Sequence, residues 1–579
     1  MTPVLLPGTD TAESTSEFLE SIGARAIGIP PGAVKWEPES EELAWKYDAW
    51  GFSLTDSGKA AVASLSPNTP VLLGIPPDPD SAALLYGTAI AAGLPIAGII
   101  PIASLAPRDL KKWLGSPLPL EDVRSLVTAG LCRLALAYAF ASIISIHWSR
   151  VSWYRGTLPG IVSLKPLSML ILSGISKSKW RRANHPDGRR WKMYSTVGHH
   201  RYYIRYDVIP DNDPAHVDEA GRIKDPDYAA ELWRNSGGFG HGRNSEEKLS
   251  LKPPTLLSFS DLVVSFSKKD PTVLHELMPS LRRLWIQGLI TWPFNDSKKV
   301  PDWAWDRKEE ICSGMAGVIP FIPFRYAGEH AVRRPDIEVE TNPFAPQVSI
   351  PTGVAVEEGI KKFDYDVYFA IGTRFAASLL PDKELIRHWM HVDLNHATLA
   401  AFKDEVTSEG WSPIFPEEPL PDPKYGTRFP DKSPLPDYSK VNTVVVKRSR
   451  APYQWDVEFN NYFTKIDLLK SFSSSFGNPA IGLPTDRIDA LFELETRRVF
   501  TKQKLNPNLT ERGQGYMALL PPGLSDTETA ALFTEDIRDR AAGKGDFAGF
   551  LELLRGFTES VMPDIEDESR AELTVPSNG

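Results

Sequence analysis

Residues 177–205 read KSKWRRANHPDGRRWKMYSTVGHHRYYIR, and the reading of the chain turns on them. The stretch carries Lys177, Lys179, Arg181, Arg182, Arg189, Arg190, Lys192, Arg201 and Arg205 against the single acid Asp187. The whole chain has 64 lysines and arginines against 74 acids, a balance of −10; without this stretch the remainder stands at −18. His185-Pro186-Asp187-Gly188 is a turn, because Pro pre-sets φ and Gly accepts the positive φ that follows. A hairpin closed there pairs Arg182 with Lys192 and Trp180 with Tyr194. Alternation along the strands puts Arg182, Arg190, Lys192, Trp180 and Tyr194 on one face, with Trp191 and Met193 on the other. A third strand over 201–209 completes a small antiparallel meander.

Like charges opposite one another on a sheet are unfavourable unless solvated or given an anionic partner. A polynucleotide backbone is such a partner, and aromatic rings offer surfaces on which bases stack. The nucleic-acid-binding candidates are therefore these nine cations together with Trp180 and Tyr194. The competing reading is a charged seam against acids of the same chain or of a neighbouring subunit.

Working outward, 579 residues with 42% hydrophobic content and 16 Trp fit a folded protein of two or more units. The reading is α+β and mainly helical: a large helical core, the small meander near 180–209, and extended Pro-rich arms. The expected organisation is an N-terminal arm over 1–50, an α-rich core over 51–410, a Pro-rich strap over 411–440 and a mainly helical region over 441–579. The 50 prolines are spread between apolar runs. The segment 411–438 concentrates them among Trp411, Phe415, Tyr425, Phe429 and Tyr438, which suits an extended strap laid on a surface.

Helices are expected over 120–150, from Asp225-Pro226 to Trp233, over 381–406, and from Asp546 to about Val561. The Gly-rich run 236–244 reads as a linker, since it follows a helix and lacks the Gly-Lys-Ser/Thr ending of a phosphate-binding loop. The run 125–146 is long enough to cross a bilayer but contains Arg133, so a buried helix and no membrane insertion is the expectation. The N-terminus lacks the basic and apolar regions of a signal peptide. Cys132 and Cys312 give no disulfide framework or zinc site and favour an intracellular setting.

Candidate chemistry is sparse. His388, His391 and Asp393 share the expected 381–406 helix, but His396 lies about 140° further round and no H-E-x-x-H motif is present. Asp364 and Asp366 alternate on an expected strand and pair two carboxylates without the rest of a nuclease constellation. Asp207, Asp211, Asp213, His216 and Asp218 read as an acidic turn balancing the nearby arginines. No catalytic residue, metal site or cofactor is expected.

Abundant apolar helices without an enzyme signature, Pro-rich aromatic arms and a basic sheet face in an acidic chain point to self-assembly. In this general make-up the chain resembles the coat proteins of small icosahedral viruses, nearest to those of double-stranded RNA viruses of fungi such as partitiviruses. The resemblance implies a non-enzymatic structural protein: a mainly helical capsid shell of many copies around an RNA genome, located in the virion and the host cytoplasm. The partners would then be other copies of the chain and RNA or another polyanion, contacted without regard to sequence. The alternative is an RNA-processing or nucleotide-handling enzyme whose active site is dispersed along the chain.

Overall fold

Within the first hundred residues, four short apolar runs are separated by helices and turns, and each run is a strand of one parallel sheet. β1 (Thr2–Pro7) pairs in register with β2 (Ala24–Ile29) across helix α1 (Thr9–Ser21). A hairpin of β3 (Val34–Pro38) and β4 (Trp50–Leu54) and helix α2 (Asp56–Val62) follow. β5 (Val71–Ile75) returns beside β1, and helix α3 (Pro79–Ala91) carries the chain over to β6 (Ile96–Pro101). The order is β2-β1-β5-β6. β5 is buried along its whole length, as a strand sandwiched between helical layers must be. Residues 1–50 are thus no extended arm. Their apolar Val4-Leu5-Leu6 run fills the middle of this sheet.

The structure, a computed structural model, describes residues 1–155, 167–175, 189–199, 202–210, 223–267, 273–316, 330–356, 359–395, 397–415, 443–448, 453–456, 484–499, 509–519, 522–524 and 527–562, with scattered residues between them.

After α4 (Pro107–Gly115), α5 (Arg124–Tyr138) continues through a π-turn, Ala139–Ile144, into α6 (Ser145–Arg155). The run Leu120–Trp153 is long and apolar enough to cross a membrane, and half of its most apolar stretch is buried in protein. Arg133 in its middle is bound on both sides by carboxylates, so a packed core helix accounts for it. The largest core unites α1, α6 and the helices Phe259–Ser267, Leu274–Ile286, Lys308–Ala316, Lys362–Ser378 and Pro484–Thr496. The last helix among the described residues, Phe547–Val561, folds back onto the first unit, where Phe547 packs against Trp36 and Trp50. The two ends of the described chain therefore share one aromatic cluster with Phe533 and Phe550.

The second sheet is antiparallel in its main strands. β7 (Arg189–Lys192), β8 (Tyr194–His199), β9 (Tyr202–Ile209) and β10 (Gly238–Leu251) precede a two-residue pair, β11 (Val300–Pro301) with β12 (Val339–Glu340). β13 (Lys383–Leu394), β14 (Ala397–Ser408), β15 (Thr427–Arg428), β16 (Thr443–Arg448) and β17 (Tyr453–Asp456) follow. The pairing runs β13-β10-β16-β8-β9-β14, and β14 pairs again with β13, so six strands close into a ring. Met193, Val197, Tyr206, Val208, Met390, Val392, Leu399 and Val446 fill its interior. Gly240 and Gly242 line it because a Cβ there would fall 2.5 Å from Val392 and from the Tyr438 ring respectively.

The mixed α+β class stands, but several local expectations do not. The Gly-rich run 236–244 opens a 14-residue strand rather than a linker. The segment 381–406 is a hairpin, β13–β14, not a helix. The segment holding Asp364 and Asp366 is a helix, not a strand. The hairpin partner expected at 177–184 lies outside the described residues; Arg189–Lys192 pairs with β17, placing Arg189 opposite Asp456 and Lys192 opposite Tyr453 in the register. In the strap, Trp411, Phe429 and Tyr438 are buried against the chain itself, and the Trp411 indole donates to the Leu251 carbonyl at 2.8 Å.

Candidate functional site

Connections leave β1 toward β2 on one side and β5 toward β6 on the other, so the order reverses between β1 and β5. In an open parallel sheet, the crevice beyond the carboxyl ends of such a pair is where ligands bind. Here its walls are Pro7-Gly8-Thr9-Asp10 after β1 and Pro76-Pro77-Asp78-Pro79-Asp80 after β5. Helix-borne arginines reach in from other parts of the chain.

Gly8 has φ +92°, and a Cβ there would sit 2.5 Å from both the Arg282 guanidinium and the Asp10 carboxylate. Only glycine lets that arginine approach. Arg282 donates to both Asp10 oxygens at 2.6 Å, and these bonds hold the Asp10 carboxyl below its ordinary range. On the β5 side, Arg133 of α5 donates to Asp80 at 2.6 and 2.9 Å and to Asp486 at 3.0 Å. Burial opposes the Arg133 charge, yet its two carboxylate partners hold it firmly protonated. Gly130, one turn earlier on α5, would drive a Cβ into the Pro79 carbonyl; its absence lets the helix lie directly over the Asp78–Asp80 turn.

Asp78 caps α3, accepting from Ser81 N at 2.8 Å and Ser81 Oγ at 2.6 Å, with Pro79 at the first helical position. Burial, with the Asp80 carboxylate beside it, pushes the Asp78 carboxyl up to about 6. A carboxyl poised there can give a proton to a leaving oxygen and take one back near neutral pH.

Its raised value also sets a stability test. The folded pKa lies above the unfolded one, so its contribution is fully present below about 4 and is lost as pH rises through about 6. Relative to wild type, Asp78→Asn should therefore gain stability between pH 4.5 and 7.5, by at most ~3 kcal/mol. Thermal melts of both proteins at the two pH values check this, and a difference that is flat or of opposite slope contradicts it.

A second charged group adjoins the helical core. Arg487, 2% exposed, donates to Asp296 at 2.6 Å and to Ser260 Oγ at 3.1 Å. Nearby, burial and then the Arg487 charge lower the pKa of Arg538. The irregular segment 291–296 is tied to the sheet by Trp292 N donating to the Ala103 carbonyl at 2.6 Å, just beyond β6. Within this segment Trp292 meets Trp285 and Phe294 edge-on.

The residues singled out from sequence fare differently. Lys177, Lys179, Trp180, Arg181, Arg182, Arg201 and His396 lie outside the described residues. Arg189, Arg190 and Lys192 fall on β7. Tyr194 and Arg205 sit on adjacent strands, with the Arg205 guanidinium 4.1 Å from the Tyr194 ring centroid. His388 and His391 are on β13, where a spacing of three points them to opposite faces. His388 lies between Glu246 and Glu405 at 3.3 and 3.0 Å, and burial pushes His391 down. Asp364 is buried and held by Arg283 at 2.6 and 2.8 Å, while Asp366, two residues on along a helix, faces away from it. His216 binds Asp225 at 2.7 Å and stacks on Tyr228, while Asp211 and Asp218 of the same turn lie outside the described residues. Among the described residues no group of three His, Cys, Asp or Glu is placed to hold a metal. Both cysteines are buried and free, their thiols pushed up to about 12.

The crevice residues were missed because each pairing is nonlocal: Asp10 and Arg282 are 272 positions apart. The one local signal was Asp78-Pro79 after the apolar run Val71–Ile75, a strand end leading into a capped helix.

No protein family and no curated protein matches the chain. Among solved structures, full-length topoisomerase I from Thermotoga maritima matches with a TM-score of 0.70 at 15% identity, over 98% of this chain and 91% of that one. That likeness overturns the coat-protein expectation: the icosahedral shell, the fungal double-stranded RNA virus relatives, the virion location and the many-copy assembly all fall with it. So does the expectation of a non-enzymatic structural protein. Apolar helices, prolines and a basic patch are shared by many large folded proteins and had carried that reading alone. The likeness is one of fold, and it extends over nearly the whole chain.

Proposed function

We propose that this protein is a nucleic-acid-handling enzyme that takes a DNA strand into the crevice at the carboxyl end of its parallel sheet. The observation that carries the reading is the near full-length likeness to a protein named as a topoisomerase, an enzyme class that acts on DNA. The crevice supports it. Arg282 and Arg133 present planar forks that match phosphate as well as the carboxylates they now hold. Asp78, at the end of β5 beside Asp80 and pushed up to about 6, supplies a proton-transfer group on the Arg133 side. Because the chain as a whole is at −10, attraction to a polyanion must come from such local cations rather than from net charge.

Incubation of the full chain with negatively supercoiled plasmid tests the enzymatic part on an agarose gel. The expected result is a redistribution of topoisomers. An unchanged distribution under varied divalent-cation and salt conditions would contradict strand chemistry.

A further inference from the structure

The outer face of the six-strand ring carries a patch with no part in the crevice. Interior positions on these strands are Val444, Val446 and Gly240, so Phe239, Val445 and Lys447 point outward. Phe239 and Val445 are directly opposite one another across β10 and β16, and are 77% and 46% exposed. Beside them opens a cleft of about 440 Å³ lined by Arg234, Gly237, Gly238, Val446 and Lys447. Gly238 has φ +125° and nothing within 4 Å of where a Cβ would stand, so its backbone is open to a ligand. The pattern continues across the sheet: Lys447 faces Thr196, and Thr196 faces Arg205, whose guanidinium covers Tyr194.

We infer that this face is a second contact for single-stranded nucleic acid, with a base stacked on Phe239 and the adjoining phosphate seated between Arg234 and Lys447. The inference rests on the reading of the chain as a nucleic-acid-handling protein. An exposed ring beside two cations and a glycine-lined cleft is the arrangement that binds strands without regard to sequence: the ring offers its face to any base, and the cations track the backbone. An isolated exposed aromatic would need no explanation, but here ring, apolar neighbour, cleft and cations coincide. The described part of the basic segment, Arg205 with Tyr194, extends the same patch.

The test uses the full chain and a fluorescein-labelled oligothymidylate, read by anisotropy over a salt series. Phe239→Ala is expected to weaken binding about ten-fold or more, and Phe239→Trp to restore it. Lys447→Ser is expected to reduce the slope of log affinity against log salt by about one. Both side chains are exposed, so neither change disturbs the core, and unchanged melting curves verify that. If wild type binds and both variants bind alike with the same salt slope, this face is not a contact, while the proposed function stands. If wild type does not bind the oligonucleotide at low salt, both fall.

Discussion

Replacing Arg487 with Ala is expected to destabilise the protein by about 3–5 kcal/mol, seen as a lower urea midpoint for the helical core. Arg487 stands near the start of the helix Pro484–Thr496 and ties it to two distant segments, at Ser260 and Asp296. Asp296 is itself 9% exposed and also accepts from Ser260 N at 3.0 Å. Removing the guanidinium leaves that carboxylate buried beside fewer donors, which costs more than the intact pair contributes. The converse follows: Arg487→Met combined with Asp296→Leu should recover most of the loss, because no charge is then stranded. A double variant as unstable as the sum of the two singles would show that the pair is not coupled in this way.

Arg387→Ala should cost a similar ~3–5 kcal/mol, with the effect confined to the ring and its long hairpin. Arg387 and Asp404 are direct cross-strand partners on β13 and β14, and their side chains are 6% and 2% exposed. The fork is bidentate at 2.7 and 3.1 Å, Arg428 of β15 adds a bond to Asp404 at 3.0 Å, and the Arg387 guanidinium lies 4.5 Å from the Phe402 ring centroid. Truncation therefore removes a charge partner, a stacking plane and part of the anchor for β15 together. Amide hydrogen exchange should accelerate in β13 and β14 while β1 and β5 stay protected. Loss of protection in the parallel sheet as well would mean that the two units unfold as one.

Much of the local structure was legible where a capping residue announces a helix. Asp225-Pro226 and Asp546 open helices where their side chains accept from backbone N–H groups, at Tyr228 and Gly549. Tertiary contacts decided the rest. At the start of the helix Lys362–Ser378, Asp364 and Asp366 alternate with Phe363, Tyr365 and Val367, which imitates the two-residue period of a strand. β13 mixes buried Leu385, Met390 and Val392 with polar side chains that face acids on other strands, which imitates an amphipathic helix. Gly240 and Gly242 look like linker residues until Val392 and Tyr438 are seen to occupy the space of their missing side chains. The crevice depends on arginines from α5 and from Leu274–Ile286 meeting carboxylates at two strand ends, an encounter that only the folded chain makes visible.

The most direct test of the central claim is binding of a labelled single-stranded DNA by the purified full chain across a salt series. The account predicts saturable binding at low salt that weakens linearly in log affinity against log salt, despite the net charge of −10. Absence of binding at low salt, or an affinity indifferent to salt, would contradict it.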